Sequence, residues 1–221
     1  MGATSVRKGH EGVVEDVDFH RHYSHMFGSV GDDGRLLLWD SREAGNAPAS
    51  AVNAAHDGDA NCLSFNPHNE FLVATGGSDC MVNIWDLRKL TSKLHVCAAH
   101  REGVYQVSWS PHAPNVLGSC SSDRRLVVWD LSLIGQEQTP EDAADGPPEL
   151  LFIHGGHTAK VSDFSWSSAE PWTIASVAED NVLQIWQPAA TIYTPTEGGG
   201  AGAGDVPDDD LEAGAKKRAK A

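Results

Sequence analysis

The 221-residue chain carries 31 acidic residues against 16 Lys and Arg, for a net charge of −15, and is 40% hydrophobic and 7% aromatic. That length supports a core of moderate size. The acid excess argues against direct nucleic-acid binding, which concentrates Lys and Arg on one face, and suits basic partners instead. No apolar N-terminal stretch or membrane-length run is present, so neither a signal peptide nor a membrane role is expected. Cys62, Cys80, Cys97 and Cys120 show no CxxC pairing and read as small core or strand residues in a reducing, intracellular setting.

Taken in chain order, His10 opens the first of four similar units, and His56, His100 and His157 open the others. Nine residues after each His stands an aromatic: Phe19, Phe65, Trp109, Trp166. Nineteen after it stands a hydroxyl (Ser29, Thr75, Ser119, Ser176), and twenty-three after it an acid (Asp33, Asp79, Asp123, Asp180). Twenty-nine after it stands a Trp: Trp39, Trp85, Trp129, Trp186. Five positions kept in register through four copies define a repeat.

Each unit opens on an alternating stretch, "VEDVDF", "NCLSF", "YQVSW" or "VSDFSW", which reads as a half-buried strand. Turn residues follow ("NPHNE", "SPHAP", "SSAEP"), then short apolar runs such as "FLVATG" and "VLGSCS", then "RLLLWD", "MVNIWD", "RLVVWD" and "VLQIWQ". Every unit is therefore a three- to four-stranded antiparallel meander of about 45 residues, the size of a propeller blade, and the chain is all-β.

A His, a Ser and an Asp invite a catalytic-triad reading. A set repeated four times, each with its own Trp able to accept or cap the last link, reads as scaffold instead. With no phosphate loop, metal cluster or unrepeated nucleophile, no enzyme, cofactor or metal is expected. His20, His22 and His25 have metal-like spacing, but no Cys or acid joins them and they read as a solvated loop.

These units resemble those of the WD-repeat β-propellers, a family in which the His, Ser/Thr, Asp and Trp form a hydrogen-bond chain inside each blade. Such propellers usually close with about seven blades, so four imply an open arc, the C-terminal portion of a longer protein. The alternative is a small ring closed by four. Residues 1–196 are the expected propeller segment, with "MGATSVRKGH" leaving room for one lone outer strand before His10. Residues 197–221 read as a disordered Gly/Ala-rich tail, acidic and then basic, whose "KKRAK" matches a nuclear-import signal.

Successive repeat histidines lie 46, 44 and then 57 residues apart, which places an inserted loop at 134–149. The stretch "DRRLVVWDLSLIGQEQTPEDAADGPPELLFIHGGHTAKVSDFSW", with "LSFNP" and "WDLRKL", is similar to the histone-binding WD proteins of the retinoblastoma-associated and Msi-type group, small subunits of chromatin assembly factor 1. The likeness runs from about His10 to Tyr193.

This resemblance implies a nuclear, non-enzymatic scaffold whose partners are core histones and subunits of chromatin assembly, Polycomb-type and deacetylase complexes. It makes the loop one wall of a groove for a basic histone helix, with Glu141, Asp142 and Asp145 pairing with Arg and Lys. Pro147 and Pro148 stiffen the turn, and Leu151, Phe152 and Ile153 offer an apolar floor. An N-terminal helix, for which the residues before His10 leave no room, would form the other wall. The bland alternative makes Leu150 to Ile153 the outer strand of the third blade.

The resemblance further implies a ring-face site for basic peptides at Glu15, Asn61, Tyr105, Lys160 and Glu179. Lys160 has the wrong sign for that ligand, so a carbonyl, a terminus or an internal acid is expected to hold it. A rival reading comes from "WDSR" (39–42) and "WDLR" (85–88), which resemble the motif by which WD substrate receptors dock, through Arg42 and Arg88 here, on a cullin-RING ubiquitin ligase adaptor.

Overall fold

The computed structural model describes residues 6–194; the expected tail at 197–221 and its basic run lie outside the described residues. Three four-stranded antiparallel meanders and one three-stranded meander follow one another along the chain. The first comprises β1 (Val14–Phe19), β2 (Met26–Gly31), β3 (Leu36–Asp40) and β4 (Ser50–Val52). The second comprises β5 (Ala60–Phe65), β6 (Leu72–Gly77), β7 (Val82–Asp86) and β8 (His95–Cys97). The third comprises β9 (Val104–Trp109), β10 (Val116–Ser121), β11 (Leu126–Asp130) and β12 (Leu150–His154). The fourth comprises β13 (Val161–Trp166), β14 (Ile174–Ala178) and β15 (Leu183–Trp186).

Inner strands pack in series, β1 on β5, β5 on β9 and β9 on β13, so the sheets stack as blades of a partial β-propeller. The arc is open, which overturns the four-blade closed ring. The aromatic nine after each His reports on this directly. Phe65 is 1%, Trp109 4% and Trp166 9% exposed, each against the blade before it, whereas Phe19 at the free end is 58% exposed. Trp109 Nε1 donates to the Ser64 carbonyl and Trp166 Nε1 to that of Ser108, both at 3.0 Å. Gly28 and Gly118 make room for this insertion. A Cβ at Gly28 would stand 2.7 Å from Leu63, and one at Gly118 2.7 Å from Phe164.

Within each blade one hydroxyl holds three elements together. Ser29, Thr75, Ser119 and Ser176 accept Trp39, Trp85, Trp129 and Trp186 Nε1–H at 2.9, 3.0, 2.8 and 3.1 Å. The same oxygens donate to Nε2 of His10, His56, His100 and His157 at 2.7, 2.8, 2.7 and 2.9 Å. Each Nδ1–H then donates to Asp33, Asp79, Asp123 or Asp180 at 2.9–3.2 Å. Indole has a donor and no acceptor, so the Trp begins the chain and never accepts, contrary to one half of the sequence expectation.

The Asp also builds a turn. Asp79 accepts the backbone N–H of Asp57 at 3.1 Å and of Met81 at 3.1 Å, and the other three repeat the pattern. The residue after each Asp is left-handed: Gly34, Cys80, Arg124 and Asn181, at φ between 62° and 68°. Only in the first blade does close approach demand Gly, since a Cβ there would meet the Gly58 carbonyl at 2.6 Å. Cys80 therefore occupies a turn and is neither core nor strand, unlike Cys62, Cys97 and Cys120, which are buried strand residues.

The stretch with room for an outer strand falls partly outside the described residues; residues 6–13 form no strand, and the Arg7 guanidinium is held by the carbonyls of Glu43 at 2.7 Å and Asp40 at 3.3 Å. His20 is not a solvated loop residue. It is 4% exposed, packs on Phe65, donates from Nε2 to the Glu70 carbonyl at 2.9 Å, and accepts the His22 and Tyr23 amides at Nδ1. Asn66, Ser110 and Ser167, ten residues after their own histidines, cap the same turn in the other blades.

Removing the central hydroxyl, which is buried in every blade, strands both a Trp donor and a His acceptor. Ser119→Ala should cost about 2–3 kcal/mol in urea unfolding, and Ser176→Ala less, because Trp186 is only half-buried. Burial works against ionisation of Asp79, but the His56 hydrogen bond and charge and two backbone N–H groups outweigh it and hold the carboxyl at about 2, below its ordinary 3.8. Asp33, Asp123 and Asp180 shift the same way. A lowered folded-state value contributes stability above pH 3.8 that is lost as the pH falls towards 2. Asp79 alone should carry on the order of 2 kcal/mol of it, and Asp79→Asn should flatten that part of the stability–pH curve.

Candidate peptide-binding surfaces

The inserted loop leaves β11 through a 3-10 turn (Leu131–Leu133), includes one helical turn, α1 (Asp142–Asp145), and returns as β12. Thr139 closes it: its hydroxyl accepts the Asp142 amide at 3.1 Å and donates to the Asp142 carboxylate at 2.8 Å, and its carbonyl accepts the Ala143 amide at 3.0 Å. Pro140 follows at a position where its missing N–H costs nothing. Glu141 and Asp145 are exposed and Asp142 is half-buried, and among the described residues none of them has a cation partner.

Pro147 and Pro148 are half-buried, and the Leu150 amide closes their turn on the Pro147 carbonyl at 2.9 Å. Leu151, Phe152 and Ile153 lie in β12, paired antiparallel to β11, so they are the outer strand of the third blade. All three remain half-buried. Ile153 packs into the core between blades two and three, while Leu151 and Phe152 pack towards blade four, Phe152 with its ring 5.8 Å from that of Trp186. The apolar floor is thus largely engaged in holding blades together. The short helix α2 (Ala190–Tyr193) packs against β12, and Tyr193 stacks on Trp172.

On the ring face, Glu15, Asn61 and Tyr105 share a device the repeat spacing did not reveal. Each is the extra residue of a bulge in its first strand, where pairing skips between Val14 and Asp16, Ala60 and Cys62, and Val104 and Gln106. A bulge re-aims one side chain out of the strand's alternation. Asn61 spends its amide on the Val104 carbonyl at 2.8 Å. Tyr105, 40% exposed, carries the Lys160 ammonium over its ring, 3.3 Å from the centroid. Among the described residues Lys160 is thus held by a π-face. Glu179 is exposed and donates its amide to the Lys160 carbonyl at 2.9 Å.

The face is bipolar rather than uniformly acidic. Slight desolvation, then repulsion from and hydrogen bonding to Asp32, then repulsion from Asp59, push the Glu15 carboxyl up. Across blades three and four, Arg101, Arg124, Arg125 and Lys160 line a shallow depression with Glu102 and Asp123. Asp32, Asp59 and these arginines escaped sequence reading because each looks like an ordinary exposed charge until the blades bring them to one face.

Arg42 and Arg88 fold back on their own blades. Each guanidinium is exposed and grips the Asp two residues earlier at 2.6 Å and 2.7 Å, holding Asp40 and Asp86 at about 2 through those hydrogen bonds. In the third blade Ser132 takes the same place on Asp130, at 2.6 Å. The motif thus closes a turn whether or not Arg is present.

One cluster leaves no trace in the repeat spacing. His95, Cys97 and Glu149, from two blades, bring their donor atoms within 4.8 Å of one another, with His95 Nε2 2.7 Å from Glu149 Oε1. Burial, reinforced by the Glu149 charge, pushes the Cys97 thiol up to about 12. Among the described residues no helix is long and apolar enough to cross a membrane.

Blades, tetrads and turns of this kind define a repeat propeller built to present surfaces. Four segments, residues 3–40, 50–86, 91–130 and 148–187, match the family described as WD domain, G-beta repeat. The chain belongs to that family, whose propellers serve as protein-interaction scaffolds.

The two ingredients of the loop should separate by mutation. Asp142→Lys with Asp145→Lys breaks no ion pair and removes only the Thr139 hydroxyl's hydrogen bond to Asp142, so it should cost no more than about 1 kcal/mol. Phe152→Ala removes a ring that joins two blades and should cost about 2 kcal/mol or more. Urea denaturation of both variants checks this.

Proposed function

We propose that this chain is a non-enzymatic histone-binding scaffold subunit acting in the nucleus, within chromatin assembly, Polycomb-type or deacetylase complexes. The observation that carries the reading is the inserted acidic turn. Glu141, Asp142 and Asp145 sit on a locally closed loop, have no cation among the described residues, and adjoin the half-buried Pro147–Pro148 and Leu151. Carboxylates without a cation beside an apolar strip suit a basic amphipathic helix: charge selects it and apolar contact adds affinity. The resemblance of this same loop to that of the histone-binding WD proteins gives the helix its identity.

The acidic half of the ring face supports a second contact, with a basic peptide. A cation placed at Glu15 relieves the crowding of Glu15, Asp32 and Asp59. Lys160 and the neighbouring arginines repel the same peptide, so it should lie over blades one and two. The rival reading, a substrate receptor of a cullin-RING ligase, draws less support, since a docking partner would have to compete with the bidentate pairs that already hold Arg42 and Arg88.

Charge reversal at Glu141, Asp142 and Asp145 tests the proposal without the packing loss that Phe152→Ala brings. Pull-down of core histones by the triple Lys variant should fall tenfold or more, with the melting temperature unchanged. Undiminished binding would overturn it, while ligase-adaptor capture that is lost in Arg42→Ala with Arg88→Ala would add a docking role that does not exclude histone binding.

A further inference from the structure

We propose that His95, Cys97 and Glu149 form a binding site for a zinc-class transition-metal ion where the outer strand of blade two meets the end of the inserted loop. Strand alternation places His95 and Cys97, two residues apart in β8, on one face, while Val96 between them points away and is 38% exposed. Glu149 is the residue before β12, and its carbonyl accepts the Asp130 amide at 2.8 Å, which fixes where its side chain starts. Cys97 is fully buried and Glu149 is 4% exposed, whereas the His95 side chain is 26% exposed. An ion would enter past His95.

The donor set decides the class of ion. One imidazole nitrogen, one thiolate sulfur and one carboxylate oxygen are the ligands of Zn²⁺, and the sulfur disfavours Mg²⁺ and Ca²⁺. Tetrahedral bonds of about 2.0–2.3 Å set donor atoms roughly 3.2–3.8 Å apart. The 2.7 Å His95–Glu149 contact must therefore open, and the sulfur must close in from a triangle already within 4.8 Å. Side-chain rotations of about 1 Å at three unstrained residues accomplish both.

The charge and proton balance is simple. Cys97 gives up its thiol proton to solvent, Glu149 binds as the carboxylate, and His95 offers the Nε2 lone pair with its ring proton on Nδ1. The fourth position faces solvent beside His95 and takes water. Bound there, the ion clips the end of the loop to the neighbouring blade. The site is independent of the histone reading, which uses none of these three residues.

Titration of the purified full chain with Co²⁺ under reducing conditions provides the test. The expected result is a thiolate-to-cobalt charge-transfer band with tetrahedral d–d bands that saturate at one equivalent and disappear on adding Zn²⁺. Cys97→Ser should abolish the charge-transfer band, while Cys80→Ser, which removes the thiol in the turn, should leave it intact. His95→Ala, at a partly exposed position, should keep the fold by circular dichroism and weaken binding about tenfold or more. Absence of the band, its survival in Cys97→Ser, or unchanged affinity in His95→Ala would each overturn the site.

Discussion

In each blade one Ser or Thr oxygen accepts an indole N–H from the third strand and donates to an imidazole that reaches across from the loop before the first strand. The imidazole in turn needs an acceptor for its other nitrogen, and the Asp that supplies it also pins two backbone amides of the turn between the second and third strands. Three elements distant in sequence are thereby locked by buried or half-buried polar groups. Such a chain is strong because it is fully satisfied: breaking one link strands the next.

Between blades the logic changes from hydrogen bonds to volume. Phe65 and Trp166 fill space that a second-strand glycine of the preceding blade leaves open, Gly28 and Gly118. Indole donors of Trp109 and Trp166 find carbonyls of the preceding inner strand. The free ends show what this contact does, since Phe19, Val14 and Val17 at one end and Leu183 and Ile185 at the other stay exposed. The same residue type is core or surface according to whether a neighbouring blade stands beside it.

Recognition then depends on what the scaffold does not consume. The apolar residues after the Pro-Pro pair are mostly spent on joining blades, so the exposed carboxylates of the turn are the loop's most available chemistry. On the ring face, bulges lift Glu15, Asn61 and Tyr105 out of their strands, but Asn61 and Tyr105 already have partners in Val104 and Lys160. What is left is an acidic patch over two blades and, over the other two, four cations interspersed with Glu102 and Asp123. A WD propeller gives only the platform; this distribution of charge gives it direction.

By itself the sequence determined the repeat, the strands and the four tetrads, because periodicity of two and a fixed spacing of His, Ser/Thr, Asp and Trp are local signals written into each unit. It also located the inserted loop, by the one interval that is too long. Tertiary structure decided the rest. His20 becomes a buried turn cap because Phe65 and Glu70 of the next blade close over it. Lys160 rests on Tyr105, 55 residues away in sequence, and Glu149 reaches His95 and Cys97 across a blade boundary. These pairings follow from how sheets stack, and no spacing along the chain encodes which side chains meet where two blades touch.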